Sequence, residues 1–248
     1  MKKISSHKII SGLLVMLLAI AAVCTANGGI RNTSCQLGSR LDDVIRDEDT
    51  PPYLSLHYRV RHCYFALPLH RSHPIVFLGD SMTDRGDWSQ LYPQVNLVNR
   101  GIGGDTTLGL LQRLNQVIQL APPKIFLMIG TNDLCYNRSI EDALDNYDKI
   151  LGILHANLPD TKIYVESVLP FNDTLFPSNC LRTNENILLL NQGIRQLAYK
   201  FNDPYIDLVP DFQDSNGRLP AEYTVDGLHL NDTGYALWRD RLAPYVKE

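Results

Sequence analysis

The stretch that decides the fold is PIVFLGDSMTD, Pro74 to Asp84. Its apolar, partly β-branched run from Ile75 to Leu78 ends at Gly79, and polar residues follow immediately. This pattern is typical of a buried parallel strand whose carboxyl end enters a loop. The loop presents Ser81, and ligands of open α/β sheets bind outside the carboxyl ends of the strands. Gly, Asp and Ser are also ordinary turn and cap residues, so this stretch alone leaves a structural turn as an equal alternative.

Outward from this strand, the chain alternates strands and helices. Four more apolar runs predict strands, at Val95–Asn99, Lys124–Gly130, Lys162–Pro170 and Tyr205–Leu208. Helical spacing of apolar residues predicts helices over 107–120, from Ser139, over 184–201 and over 231–246. A further helix opens at Pro51-Pro52, ends at Pro68 and is expected to cover one face of the sheet.

Five strands separated by helices predict a three-layer α/β/α domain over residues 51–248, with a five-stranded parallel sheet. Fold analogy favours the flavodoxin-like strand order 2-1-3-4-5. The chain has 248 residues, of which 44% are hydrophobic and 20% charged, and these values fit one globular α/β domain. Its net charge of -4 gives no electrostatic basis for nucleic-acid binding.

Residues 1–26 have the layout of a secretory signal peptide, and a polar segment, residues 27–50, precedes the domain. Three lysines come before the apolar run, and small residues follow it near Ala26. The sequence therefore predicts export to the periplasm or the cell exterior, with no membrane insertion of the mature domain. Two alternatives stay open. The uncharged run Ile9–Gly29 is long enough for a membrane anchor, and Cys24 resembles the lipidated cysteine of a lipoprotein signal, although Val23 departs from the small residue expected before it.

Export changes the interpretation of the other four cysteines, Cys35, Cys63, Cys135 and Cys180. Neighbouring parallel strands deliver Cys135 and Cys180 to the same rim of the sheet, so we predict a disulfide between them, with the other two left to pair or to stay free. The alternative is that all four are reduced, buried thiols. No cysteine or histidine spacing predicts a metal site, because the histidines of HRSH, residues 70–73, have no further ligands nearby.

The first three predicted strands end alike, in an apolar run followed by glycine and polar residues. Because parallel strands end side by side, this pattern brings Ser81, Gly103 and Asn132 to one rim. A serine nucleophile needs a base, and Asp226 and His229 stand three residues apart in YTVDGLHLN. A lone histidine near a helix start is more often a cap or surface residue. The adjacent aspartate and the serine loop favour a Ser-His-Asp triad instead.

Four blocks of the sequence, GDS (79–81), GIGGD (101–105), GTND (130–133) and DGLH (226–229), resemble the signatures of the SGNH hydrolases, also called GDSL esterases and lipases. The resemblance runs from about Pro74 to the C-terminus, and Met82 stands where many members have leucine. It implies Ser81 as the nucleophile, with Asp226 and His229 completing the triad. It also implies Gly103 and Asn132 as oxyanion-hole donors beside the Ser81 N–H. Such a mechanism requires no metal or organic cofactor.

The segments NRGIGGDTT and LPAEYTVDGLHLNDTGYALW are similar to a branch that holds platelet-activating-factor-acetylhydrolase-like enzymes and carbohydrate acetylesterases. This similarity implies a short acyl group, so we expect a serine esterase acting on a small-molecule or glycan ester, with O-acetyl groups on carbohydrate as the first choice. One alternative is a lysophospholipase or thioesterase for longer acyl chains. Another is a catalytically silent glycan-binding module, against which the complete set of site residues argues.

Overall fold

The computed structural model describes residues 55–67 and 72–248. Their five strands are all parallel and form one sheet in the order β2-β1-β3-β4-β5, which confirms the predicted fold. The strands are β1 (Ile75–Gly79), β2 (Leu97–Gly101), β3 (Lys124–Met128), β4 (Lys162–Glu166) and β5 (Tyr205–Ile206). The proposed signal peptide, the polar segment, Cys24, Cys35 and the Pro51-Pro52 helix start lie outside the described residues.

Nine α-helices accompany these strands in the described part of the chain. They are α1 (Leu56–Phe65), α2 (Ser81–Arg85), α3 (Trp88–Leu91), α4 (Thr107–Leu111), α5 (Asn115–Ile118), α6 (Thr131–Cys135), α7 (Ile140–Asn157), α8 (Asn184–Phe201) and α9 (Asp232–Lys247). Helix α7 begins where the sequence predicts. Ser139 caps its first turn by accepting a hydrogen bond from the Asp142 N–H at 3.0 Å. No helix within these residues combines the length and apolar character that crossing a bilayer requires.

Each face of the sheet has its own apolar core. On one face, α7 and α8 pack against Val76, Leu127 and neighbouring strand residues. On the other, α9 covers a row of stacked rings, in which Phe77 lies 5.0 Å from Phe126, and Phe126 lies 4.7 Å from Tyr164. Burial of one such apolar side chain stabilises the fold by about 1.5–3 kcal/mol. Because both faces of the sheet are covered in this way, the strand ends are held in fixed positions.

Strands β3, β4 and β5 end earlier than predicted, at Met128, Glu166 and Ile206. Three further differences concern β2 and two of the helical segments. Strand β2 begins at Leu97, because its register is set by pairing with β1, where Gly79 lies opposite Gly101. The helix expected over 107–120 is two short helices, because Arg113 between them turns its side chain into the protein interior. Helix α1 does not lie on a sheet face. It packs through Tyr58 and Phe65 on Ile102, in the loop that leaves β2.

Candidate active site

Ser81 lies at the first residue of α2, directly beyond the carboxyl end of β1. The side chain of Asp80 caps this helix by accepting a hydrogen bond from the Met82 N–H at 2.9 Å. Ser81 itself is 8% exposed, so its hydroxyl sits in a sheltered position that a small substrate can still reach. Burial raises the pKa of Asp80 to about 7, which makes this carboxyl an unusually weak acid beside the serine.

The structure brings the three predicted triad residues together. The Oγ of Ser81 lies 3.1 Å from Nε2 of His229, and Nδ1 of the same ring lies 2.7 Å from Oδ2 of Asp226. The other oxygen of Asp226, Oδ1, accepts from the His229 N–H at 2.7 Å and from the Leu228 N–H at 2.9 Å. The carboxylate is therefore held by three hydrogen bonds and orients the imidazole toward Ser81.

A tight loop before α9 presents Asp226 and His229 on one edge. Gly227 between them has φ 95°, a left-handed conformation that glycine adopts without strain. Thr224 braces the loop, because its Oγ1 donates to the His229 carbonyl at 2.7 Å and accepts from the Gly227 N–H at 2.8 Å. The close spacing in DGLH thus lets Asp226 bind His229 while His229 contacts Ser81.

The electrostatics favour a neutral imidazole and an ionised carboxylate. Burial lowers the pKa of His229, and the positive charge of Arg85 lowers it further against the raising effect of Asp226. Partial burial raises the pKa of Asp226, but the hydrogen bonds from the His229 side chain and backbone outweigh burial and hold this pKa below its ordinary value. The neutral ring can therefore accept the serine proton near neutral pH, and the carboxylate can stabilise the cation that results.

Three N–H groups at the carboxyl-end rim of the sheet, those of Ser81, Gly104 and the Asn132 side chain, are candidates to bind an oxyanion. The carboxamide of Asn132, in the first turn of α6, donates to the Asp105 carbonyl at 2.9 Å, which leaves its second N–H for a ligand. Within the described residues, no group accepts a hydrogen bond from the backbone N–H of Ser81 or from that of Gly104. Fixed donors of this kind are what an acyl-transfer site needs.

Gly103, the predicted backbone donor, is placed differently from the expectation. Its N–H donates to Oδ2 of Asp84 at 3.1 Å, so the bond that was expected to serve an oxyanion is already made. The next residue, Gly104, has φ 76° and a free N–H among the described groups. Gly104 therefore replaces Gly103 as the candidate donor.

Two buried charged groups that the sequence analysis did not single out hold this rim together. Arg113 is 1% exposed and pairs with Asp105, its Nη2 lying 2.7 Å from the carboxylate. The same guanidinium donates to the carbonyls of Arg100 at 2.8 Å and Gly79 at 3.0 Å, so it joins the ends of β1 and β2. Burial raises the pKa of Asp105 to about 6, even though Arg113 opposes that rise.

A second carboxyl, Asp133 in α6, binds Thr107 at the start of α4, directly after the loop that leaves β2. Its oxygens accept from the N–H of Thr107 at 2.9 Å and from the Thr107 hydroxyl at 2.7 Å. Asp133 thus fixes the loop that carries Gly104 relative to the helix that carries Asn132. The contact of Asp133 with Thr107 joins residues far apart in the sequence, and no local sequence pattern predicts it or the burial of Arg113.

A small cavity of about 10 Å³ lies beside the nucleophile. It is lined by residues adjacent in sequence to the site residues, together with the end of β3 and the segment after β4: Asp80, Met82, Met128, Thr131, Val168, Leu169, Pro170 and Leu228. A space of this size holds about one water-sized group. Its lining is mostly apolar, and it adjoins the segments that carry Ser81, Asn132 and His229.

Cys135 and Cys180 lie next to each other near the site, as the sequence predicts, but both are free thiols in this structure. Burial raises the pKa of the Cys135 thiol, and the neighbouring Cys180 raises it further. Hydrogen bonds from Ser178 and Cys135 outweigh burial at Cys180 and lower its pKa. The disulfide stays a prediction for an oxidising compartment. Within the described residues, no three His, Cys, Asp or Glu side chains are arranged to hold a metal ion.

Comparison with known proteins identifies the family of this chain. Residues 77–237 match the model of the GDSL-like lipase/acylhydrolase family. The chain is 29% identical over 183 residues to the alpha2 subunit of platelet-activating factor acetylhydrolase IB from Homo sapiens, covering 71% of this chain and 77% of that protein.

Solved structures give the same picture. One described as a platelet activating factor from Streptococcus pneumonia has a TM-score of 0.69 at 27% identity, covering 87% of this chain and 99% of its own. An acetyl xylan esterase has a TM-score of 0.58 at 23% identity, covering 69% and 98%, and this likeness shows the shared fold.

Proposed function

Because this chain belongs to the GDSL-like lipase/acylhydrolase family, we propose that it is an exported serine esterase that removes short acyl groups, chiefly acetyl groups from carbohydrate or glycan esters. The observation that carries the proposal is the chain of contacts from Asp226 through His229 to Ser81, at 2.7 and 3.1 Å, beside a pocket with room for little more than a methyl group. Export depends on the signal-like residues 1–26.

In the proposed reaction, His229 takes the proton of Ser81 as Oγ attacks the ester carbonyl. The carbonyl oxygen becomes an oxyanion that receives hydrogen bonds from the Ser81 N–H, the Gly104 N–H and the Asn132 carboxamide. Asp226 stabilises the imidazolium. His229 then returns its proton to the departing alcohol, and the acyl group stays on Ser81.

Water completes the cycle. His229 removes a proton from a water molecule that attacks the acyl-enzyme, a second oxyanion forms in the same place, and its collapse releases the carboxylic acid and restores the Ser81 hydroxyl. Every proton that leaves an oxygen passes through one imidazole, so the contact between His229 and Ser81 serves both halves of the reaction.

The short pocket supports a small acyl group. Met82, Thr131 and Leu228 line it, and each is a sequence neighbour of Ser81, Asn132 or His229. An acyl group that used this cavity would have to be short. The relative named platelet-activating factor acetylhydrolase IB subunit alpha2 fits the same choice.

The test is a series of p-nitrophenyl esters from acetate to palmitate, assayed with the purified wild-type protein. We expect kcat/KM to be highest for acetate and to fall steeply beyond butyrate. A maximum at octanoate or longer would replace the proposal with a lysophospholipase or thioesterase activity. Absence of hydrolysis across the series, combined with binding to acetylated glycan, would indicate a binding module and overturn the proposal.

A further inference from the structure

The carboxylate of Asp84 is the meeting point of three chain segments. Its Oδ2 lies 2.8 Å from Nε2 of His57 and accepts the Gly103 N–H at 3.1 Å, while its Oδ1 lies 2.7 Å from Nη2 of Arg61. The Asp84 side chain is 7% exposed, so these contacts are sheltered from water. Burial raises the pKa of Asp84, but Arg61 and His57 outweigh burial and lower it, which keeps the group ionised.

Position makes this carboxylate important to the reaction. Asp84 lies in α2, the short helix that begins at Ser81. It accepts a hydrogen bond from the N–H of Gly103, the residue before Gly104. The two backbone donors of the proposed oxyanion hole belong to different segments, the turn after β1 and the loop after β2. Asp84 is a direct tie between these segments, so it can set the separation of the Ser81 and Gly104 N–H groups.

Helix α1 supplies the two side chains that hold Asp84, those of Arg61 and His57. A negative charge near an oxyanion would oppose catalysis, and Arg61 offsets the charge of Asp84 while donating to the Gly101 carbonyl at 2.9 Å. The His57 ring packs against Gly103, because a Cβ built there would lie 3.4 Å from its Cδ2 and Nε2. Both side chains come from a helix that lies before the 77–237 segment matched to the family.

We propose that Asp84 is a positioning residue of the oxyanion hole, held in place by His57 and Arg61 of α1. The inference rests on the proposed function and extends it to a helix outside the matched segment. Asp84 touches no reacting atom. It acts by fixing the Gly103 peptide, and through it the direction of the Gly104 N–H, so its loss should affect the transition state more than the bound ester.

The experiment compares Asp84→Ala and Asp84→Asn with the wild-type protein on p-nitrophenyl acetate. The alanine variant should lose about a hundredfold in kcat with KM within twofold, because misplacement of a donor by about 1 Å costs that much. The asparagine variant keeps an acceptor for Gly103 and should lose only about tenfold. A short alkylboronic acid, which forms a tetrahedral adduct on Ser81, should bind each variant more weakly by the factor lost in kcat/KM.

A second pair of variants guards against misfolding. The Nε2 of glutamine can replace that of histidine as a donor to Asp84, so His57→Gln should retain most activity while His57→Leu should lose about tenfold in kcat. The matched control is Asp203→Asn, since Asp203 forms a similar buried pair with His155 at 3.0 Å just before β5, on the rim opposite Ser81. That variant should keep its kcat.

The outcomes separate the two proposals. An inactive wild-type protein would overturn the proposed function, and this inference with it. An active wild-type protein with folded Asp84→Ala of unchanged kcat would overturn the inference alone, as would a raised KM at normal kcat. Loss of boronate binding in the Asp203→Asn control, equal to that in Asp84→Asn, would show a general effect of stability and refute positioning.

Discussion

Replacement of Asn132 by alanine tests the oxyanion hole directly. The carboxamide has one N–H engaged with the Asp105 carbonyl at 2.9 Å and one left for substrate. Removal of one oxyanion donor typically lowers kcat by about 100-fold to 1000-fold, or about 2.7–4 kcal/mol. Because the N–H groups of Ser81 and Gly104 remain, we expect Asn132→Ala to fall near the lower limit, with little change in KM.

The same substitution has a cost in stability that must be separated from its effect on catalysis. It leaves the buried Asp105 carbonyl without its partner, a loss of about 1–3 kcal/mol. Thr161→Val is a matched control, because Thr161 donates to the Pro122 carbonyl at 2.6 Å at the amino end of β4, on the opposite rim. This control should lose similar stability in urea unfolding and keep its kcat.

Steady-state kinetics on p-nitrophenyl acetate, below the unfolding transition of both variants, gives kcat and KM separately. An Asn132→Ala protein with raised KM and normal kcat would show that Asn132 binds substrate and is no oxyanion donor. An equal fall of kcat in Thr161→Val would show that stability, and not the lost donor, sets the rate. Either result refutes the reasoning.

Three further predictions concern the nucleophile, a buried acid and the cysteines. Ser81→Ala should lower turnover on the order of a millionfold while circular dichroism stays unchanged, and retention of more than a few per cent of activity would contradict the assignment. Burial raises the pKa of Glu166 from 4.5 to about 8, so its stabilising contribution is complete below pH 4.5 and is lost as the pH rises toward 8. Glu166→Gln keeps an acceptor for Trp238 and should therefore exceed the wild type in stability at pH 8, by up to about 4 kcal/mol in urea unfolding, with no such gain at pH 4; equal gains at both pH values would refute this. In protein from an oxidising compartment, non-reducing peptide mapping should find Cys135 bonded to Cys180, which would add about 4 kcal/mol of stability, and a free thiol at either position would contradict the pairing.

The sequence was enough to predict the elements that depend on local chemistry. Helix α8 spans Asn184–Phe201 as expected, because its apolar residues repeat with helical spacing and Thr183 caps it. The Asp226 and His229 pair also followed from local spacing, since one loop places both side chains. These features need only neighbours in the chain to be recognised.

Features set by distant contacts could not be predicted in this way. Which of two consecutive glycine amides stays free depends on Asp84, which lies in a different segment of the chain, helix α2. The role of α1 depends on side chains that approach the same carboxylate from before β1. The limits of β2 depend on its pairing with β1. Each requires knowledge of the folded arrangement, which hydrophobic periodicity does not contain.

The packing around Trp88 and Trp238 gives the protein an intrinsic optical reporter. These are the chain's two tryptophans, and their rings meet at 4.9 Å between centroids and 82° between planes. Trp88 donates from Nε1 to the Thr83 carbonyl inside α2, and Trp238 lies in α9. Fluorescence emission therefore reports the contact between α9 and α3, which the Trp88 hydrogen bond joins to the nucleophile helix α2. Separation of α9 from the sheet would redden the spectrum before the opposite core opens, so tryptophan emission compared with far-ultraviolet dichroism would reveal whether the two layers melt together.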